Sequence, residues 1–256
     1  MPRIDDGRWM QRLLRLALGL AAGLLIAAAT APAAAQSVSI DLGADGPSST
    51  ARIIQLVVLL TVLSVAPSIL VMATSFTRIV VVLSFLRSAL GTQQAPPNIV
   101  LVSLALFLSA FIMAPTFQAI YDNAVQPLLA QQITEEQALT AAVEPMREFM
   151  LRHVRDEDLA LFLDMSGAGT PETPEATPLK ALAPAFMISE LRRAFEIGFL
   201  LFIPFLVIDM LVASVLMSMG MMMLPPVMIS LPFKLIFFVL VDGWRLVAGS
   251  LVQSYG

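Results

Sequence analysis

Residues 98–121 read NIVLVSLALFLSAFIMAPTFQAIY, a run without a charged side chain. A helix that crosses a membrane needs about 20 consecutive, mostly apolar residues, so this run predicts one. Three further apolar segments lie at residues 53–76, 197–219 and 227–252. The pattern predicts an all-α, membrane-associated fold built of helical hairpins.

The composition of the whole chain agrees with a membrane setting. Of the 256 residues, 58% are hydrophobic and 13% are charged, and the mean hydropathy is +0.84. Soluble domains carry about 25% charged residues, so much of this surface must face lipid or other protein. The net charge of -4 and the absence of Lys/Arg-rich clusters argue against nucleic acid as a partner.

Known catalytic and metal-binding patterns are missing from the sequence. The chain has no cysteine and one histidine, His153, which excludes thiol catalysis and leaves no companion for a metal ligand or catalytic base. It has no phosphate-binding loop, HExxH or GxSxG pattern. The sequence therefore predicts no cofactor and no enzymatic activity.

Residues 1–35 have the three parts of a secretory signal peptide. Arginines precede an uncharged apolar run, which ends in small residues before Ala35 and Gln36. The run is short for a membrane-spanning helix, so we expect cleavage after Ala35 rather than an uncleaved anchor. Residues 36–51 then form a polar linker.

The chain between the second and third apolar segments is acidic. Residues 122–196 hold 13 of the 19 acidic residues but 6 of the 15 basic ones. Thr134 and Gln137 have the spacing of a capping box, and Pro145 suits the first turn of a second helix. Residues 166–178 have loop composition, and helix resumes at Leu179. We assign residues 122–192 to a small, water-exposed helical insert.

Charge placement gives a topology for the rest. Residues 52–121 hold the first two apolar helices with an amphipathic connector at 77–90, and residues 193–256 hold the last two with a methionine-rich turn. With an external N-terminus, the positive-inside bias places Arg78 and Arg87 in the cytoplasm and the insert in the periplasm. Prolines are expected to break or kink the helices at Pro67 and Pro204 and at the pairs 96–97 and 225–226.

Four charged residues lie inside the last two apolar segments: Asp209, Lys234, Asp242 and Arg245. A charge at the centre of a membrane helix costs about 2.5–3.5 kcal/mol on insertion scales, so such residues usually have partners or face a cavity. They are predicted to form ion pairs between helices or between subunits. A proton or ion relay is the alternative, although few titratable groups accompany them.

The turn between the last two segments concentrates methionine. Five lie within seven residues, just before Pro225: Met217, Met219, Met221, Met222 and Met223. Methionine is flexible and fills irregular gaps in cores, but it also forms surfaces that repack around a partner. The residues alone leave both interpretations open, a packed core and a deformable closure around an opening.

Several longer blocks of the sequence resemble one protein family. They include LTVLSVAPSIL at 60–70, SFLRSALGTQQ at 84–94, PAFMISELR at 184–192, IPFLVID at 203–209 and LPFKL at 231–235. These blocks are similar to the FliP family of flagellar export-gate proteins, which also includes a subunit of virulence type III secretion systems. The signal peptide and the end of the chain look more like the flagellar branch.

The resemblance implies an export-gate subunit of the inner membrane and flagellar basal body. Such subunits assemble in several copies with FliQ and FliR into a helical oligomer with a pore, contacting membrane lipid and other export-apparatus proteins. Unfolded export substrates pass through it. The family's pore-closing methionines match Met221, Met222 and Met223 here, with Met217 and Met219 less directly included. The resemblance also implies that the apolar helices pack largely on one another.

Two other functions compete with the export gate. One is an independent transporter of ions or small solutes, with Asp209 and either Lys234 or Arg245 as its coupling pair. The sequence has neither internal repeats nor a complete intramembrane site to favour it. The other is a structural subunit that nucleates basal-body assembly without touching the exported chain.

Overall fold

The computed structural model describes residues 47–256 except 168, 170, 172, 222 and 223. The signal-peptide prediction, with Ala35 and Gln36, and most of the polar linker lie outside the described residues. The packing considered below lies within Leu60–Gly256, which form one compact unit. This part of the chain is helical and contains no strand, which confirms the predicted all-α class.

Nine α-helices follow one another in the described chain. They are α1 Pro47–Met72, α2 Phe76–Leu90, α3 Asn98–Ile120, α4 Gln126–Leu129, α5 Glu135–His153, α6 Asp156–Ser166, α7 Leu179–Ser218, α8 Pro226–Leu240 and α9 Gly243–Gln253. A π-helical turn, Tyr121–Val125, joins α3 to α4, and a 3-10 turn, Pro174–Ala176, precedes α7.

The short helix α2 lies at the centre of the main hydrophobic core. Most of its apolar side chains are buried in a core shared with α3, α7, α8 and α9, with Leu86 and Val82 at 0% exposure, while Phe76, Val80 and Val81 are partly buried. The approach to α7 is close, because a Cβ at Gly198 would lie 2.6 Å from the ring of Phe85. A larger residue at 198 would therefore push the two helices apart.

The helices form two hairpins whose turns lie at the same end of α2. Near the end of α2, Arg87 Nη1 donates to Asn98 Oδ1 at the start of α3, at 2.5 Å. The Ala89 carbonyl accepts from Lys234 Nζ on α8. At the opposite end, Ser75 donates to Ser109, well along α3. Residues 91–97 therefore turn α2 into α3 at the end where α7 and α8 are also joined.

The insert packs at the end of α2 away from these turns. A second core joins α3, α5 and α7 there, through Met113, Phe149 and Phe186. The capping box of Thr134 and Gln137 is present at the start of α5, as predicted. The prediction of a new helix at Pro145 is wrong, because Pro145 lies inside the continuous helix α5.

Helix α7 joins the insert to the third apolar segment without a break. It begins at Leu179, as predicted, and runs for 40 residues. The boundary expected between residues 192 and 193 therefore falls inside one helix. Pro204 lies inside α7 and Pro67 lies inside α1, so of the expected break or kink there is no break at either position. The Pro-Pro pairs do lie at helix boundaries: Pro97 is the N-cap of α3, and Pro225 is the N-cap of α8, which begins at Pro226.

By length and composition, two helical stretches of the described chain could cross a membrane, Asn98–Leu129 and Leu179–Ser218. The fourth apolar segment is divided into α8 and α9, which are bent by 62° relative to each other. Counted together as one broken span, they would make a third crossing. The bend lies at Asp242, whose φ of 51° is left-handed.

One part of the predicted topology is wrong. It placed Arg78 with Arg87 on the side of the membrane opposite to the insert. In the structure Arg78 Nε donates to Glu190 Oε2 at 2.9 Å, and Glu190 lies in the sequence assigned to the insert. Two side chains in direct contact cannot lie on opposite sides of a membrane. Arg78 therefore lies at the insert end of α2, and Arg87 lies at the turn end.

Candidate functional site

The methionine-rich turn between α7 and α8 is built on a regular helix ending. Gly220 has a φ of +74°, and its N–H donates to the Met217 carbonyl, while the Met221 N–H donates to the Leu216 carbonyl. These two bonds form a Schellman motif, in which glycine accepts the left-handed backbone at little cost. Pro226 then starts α8 after Pro225 as the N-cap, since proline suits the first helical position. We call residues 217–225 the tip.

The described methionines of the tip are exposed. Met217 and Met219 are about 60% exposed and Met221 is 40% exposed. Met222 and Met223 lie outside the described residues. Within this single chain the described methionines are therefore not core residues. An exposed cluster of long, apolar and flexible side chains can pack against a partner or against equivalent tips.

A polar cluster below the tip fixes α7 to α8 and to α2. Lys234 Nζ donates to Asp209 Oδ2 at 2.6 Å and to the Ala89 carbonyl at 3.1 Å. Ser230 Oγ donates to the other Asp209 oxygen at 2.5 Å. Lys234 is 4% exposed, so its charge depends on these acceptors. The structure thus brings together Asp209 and Lys234, two of the four charges that the sequence singled out.

The other two charges, Asp242 and Arg245, have a different setting. Both side chains are mostly exposed, and Arg245 Nη1, in the first turn of α9, lies 4.0 Å from Oδ2 of Asp242, the N-cap of that helix. An exposed pair at that distance contributes little to stability. Arg245 is therefore paired within its own helix and is not part of the Asp209 cluster.

A second buried ion pair was not predicted. Arg78 and Glu190 are 1% and 0% exposed, and both nitrogens on one edge of the guanidinium donate to the carboxylate. Two parallel hydrogen bonds of this kind make a strong, geometrically specific contact. In the sequence, Arg78 stands out as a charge within an otherwise apolar run. The positive-inside bias had assigned it to the cytoplasm, so no partner was sought for it.

Two side chains that follow α9, those of Ser254 and Tyr255, form further contacts with Arg78 and Glu190. Ser254 Oγ accepts from Arg78 Nη1 at 3.0 Å, and the hydroxyl of Tyr255 donates to Glu190 Oε2. The ring of Tyr255 stacks over the guanidinium, with Arg78 Cζ 3.8 Å from the ring centroid. Burial and then the Glu190 carboxylate raise the pKa of the Tyr255 phenol, so it remains a neutral donor.

His153 lies next to Tyr255, with ring centroids 5.0 Å apart. Burial and the nearby Arg78, Arg193 and Arg152 lower its pKa to about 4, so it is neutral at pH 7. In the described chain no group of acidic, histidine or cysteine side chains could hold a metal ion. The histidine is therefore a packing residue at the insert end, far along α2 from the tip.

Known proteins resemble this chain over most of its length. The family model described as "FliP family" matches residues 59–251. The flagellar biosynthetic protein FliP of Caulobacter vibrioides is 64% identical over 90% of this chain and 87% of its own length. The protein of that name from Bacillus subtilis is 58% identical over 82% of this chain and 95% of its own.

A third relative gives the same result. The flagellar biosynthetic protein FliP of Pectobacterium carotovorum is 52% identical over 93% of this chain and 92% of its own length. The match includes α2 to α8, and so both the tip and the two buried ion pairs lie within it. The chain, with its exposed methionine tip above a fixed helical hairpin, therefore belongs to the FliP family of flagellar biosynthetic proteins.

Proposed function

We propose that this chain is a pore-forming subunit of the flagellar type III export gate. In this role it lets unfolded flagellar subunits cross the inner membrane during assembly. The observation that carries the proposal is the exposure of Met217, Met219 and Met221 around the Schellman motif that ends α7. Membership of a flagellar export family supplies the context.

The structure below the tip suits a closure that must deform without unfolding. Methionine side chains can change rotamer to seal an opening and to yield to a passing chain. The two helices of the hairpin, α7 and α8, need to stay in place while the methionine side chains change rotamer. The hydrogen bonds of Lys234 to Asp209 and Ala89 fix α8 to α7 and α2 just below the tip.

The surface of the chain supports assembly into an oligomer. Large apolar side chains such as Phe107, Phe199 and Leu240 are 68–80% exposed, which is far more apolar surface than one chain can leave in water. Lipid covers part of such a surface, and neighbouring subunits cover the rest. We propose further copies of this chain, FliQ and FliR as those neighbours, other export-apparatus proteins as outer contacts, and the insert on the periplasmic side.

Ion conductance of the closed complex tests the role of the tip. Replacing Met221, Met222 and Met223 together by alanine shortens the side chains that would fill the pore, so the closed complex should leak ions. Adding Met217→Ala and Met219→Ala should increase the leak. The control is Met165→Ala, since Met165 is 71% exposed but lies on α6 of the insert.

Unchanged conductance in the triple variant, with normal assembly of the complex, would reject the methionine closure. A purely structural role in basal-body assembly makes a different prediction for crosslinking. A photoreactive residue at position 221 should crosslink to an export substrate stalled in the gate, whereas one at position 165 should not. Absence of crosslinks from 221 would support the structural role.

A further inference from the structure

Tyr255 joins three parts of the molecule that are distant in sequence. It follows α9, its hydroxyl contacts Glu190 on α7, and its ring covers Arg78 on α2. The same ring stacks on Phe149 of α5 at 6.0 Å and meets His153 edge-on. One aromatic side chain thus contacts the buried ion pair on one side and the insert on the other.

These contacts differ in kind. The hydroxyl adds a hydrogen bond to a carboxylate that is 0% exposed, where a charge-assisted bond is stronger than on the surface. The ring adds a cation–π contact with a desolvated guanidinium and aromatic packing with Phe149 and His153. Ser254 adds its hydroxyl and carbonyl as acceptors for Arg78 Nη1, at 3.0 and 3.3 Å. The segment after α9 is therefore held by polar and aromatic contacts together.

The packing around Tyr255 on the insert side is incomplete. A cavity of about 150 Å³ lies there, and α3, α5 and Tyr255 all contribute to its walls, including Thr116, Glu148 and Arg152. The ring of Tyr255 borders this space and connects the end of α9 to α5 through Phe149 and His153. Removing the ring would enlarge the cavity and separate the two elements.

We propose that Tyr255 fixes the end of α9 in position against α5 of the insert and against the Arg78–Glu190 pair, and we call this contact the lock. While it is in place, the ion pair, the end of α9 and helix α5 form one rigid arrangement. When it is withdrawn, the end of α9 can move away from α5, while α5 stays packed on α3 and α7 through the second core. This role goes beyond the closure at the tip, which lies at the other end of α2.

Distance measurements between spin labels test the lock in the full chain. The native sequence has no cysteine, so Leu139→Cys on α5 and Leu246→Cys on α9 provide two unique, exposed labelling sites. With Tyr255 present we expect one narrow distance distribution. Tyr255→Ala should broaden it and add longer distances, and Tyr255→Phe, which retains the ring but not the hydroxyl, should give a smaller broadening.

The matched control is Tyr121→Ala, which removes the other tyrosine of the chain, a residue 50% exposed at the end of α3. It should leave the distribution unchanged. An unchanged distribution in Tyr255→Ala would overturn the lock. Should that variant fail to fold, an unchanged distribution in both Tyr255→Phe and Ser254→Ala would overturn it as well. The conductance test at the tip uses other residues, so failure of either proposal leaves the other intact.

Discussion

At the scale of single residues, the two buried ion pairs have the largest expected effects. Lys234 is almost fully buried and depends on Asp209 and Ala89 for its hydrogen bonds, and Arg78 depends on Glu190, Ser254 and Tyr255. Breaking a buried pair by removing one partner leaves the other charge uncompensated, which costs far more than the pair contributes. Single substitutions at these sites should therefore be severe.

Lys234→Ala should destabilise the chain by about 3 kcal/mol, because it leaves the Asp209 carboxylate and the Ala89 carbonyl without their donor. The measurement is thermal unfolding of the purified protein in detergent. Asp242→Asn is the control, since Asp242 belongs to an exposed pair at 4.0 Å, and its effect should stay within about 0.5 kcal/mol. Equal shifts of the unfolding midpoint in the two variants would contradict the conclusion that Lys234 fixes α8 to α7 and α2.

His153 should make the stability of the protein depend on pH. The folded chain holds its pKa at about 4, while the unfolded chain protonates it near 6.5, so the unfolded state binds more protons between these values. Its contribution is complete above about pH 6.5 and is lost as the pH falls through about 4. The ring is partly exposed, so we expect a loss on the order of 1–2 kcal/mol.

Unfolding midpoints measured from pH 7 to pH 4 check this expectation. His153→Gln removes the titrating group but keeps a polar side chain of similar size. The difference between wild type and variant isolates the histidine from the carboxylates that also titrate in this range. A constant difference across the range would contradict a lowered pKa for His153.

At the scale of elements, the ending of α7 decides how the tip is presented. Gly220 adopts a left-handed backbone, and the two hydrogen bonds of the Schellman motif depend on it. Nothing lies within 4 Å of a Cβ at this position, so an added side chain would strain the backbone rather than clash. The local geometry of the tip therefore depends on one glycine.

Gly220→Ala should destabilise the end of α7 by about 1 kcal/mol, the cost of a left-handed backbone for a residue with a Cβ. Hydrogen exchange should speed up at the amides of Gly220 and Met221, which donate to Met217 and Leu216. Gly249→Ala in α9 is the control, because Gly249 has an ordinary φ and open space around it, and helix propensity favours alanine there. Unchanged exchange in Gly220→Ala would show that the tip does not need the motif.

At the scale of the whole molecule, the insert and the two hairpin turns lie at opposite ends of α2. The Arg78–Glu190 contact defines the insert end, and the contacts of Arg87 with Asn98 and of Lys234 with Ala89 define the other. Arg87 thus remains consistent with the positive-inside bias, whereas Arg78 is buried at the insert end.

Single cysteines should report this arrangement in intact cells. With the insert in the periplasm, Leu139→Cys should react with a membrane-impermeant maleimide without permeabilisation, because Leu139 is 68% exposed on α5. Gln94→Cys, in the exposed turn between α2 and α3, should react only after permeabilisation. Labelling of both from the same side would contradict a membrane crossing between the insert and the turns. The native chain, which has no cysteine, is the negative control for labelling.

The sequence by itself determined the helical class, the apolar segments, the capping box at Thr134 and the helix start at Leu179. Hydrophobic runs, capping residues and loop composition act over short distances, so they can be identified without a fold. Its long specific blocks also identified the family. The expectation of a new helix at Pro145 was wrong, and Pro204 does not break α7, because both prolines lie inside continuous helices.

Only the tertiary structure decided which charges are partners. Glu190 lies 112 residues from Arg78, and Tyr255 lies 65 residues from Glu190, so neither contact leaves a pattern in local sequence. The sequence placed Asp209, Lys234 and Arg245 near one hairpin, but the direction of each side chain separated the buried pair from the exposed one. Burial and contact depend on how helices cross, and that is a property of the whole packed molecule.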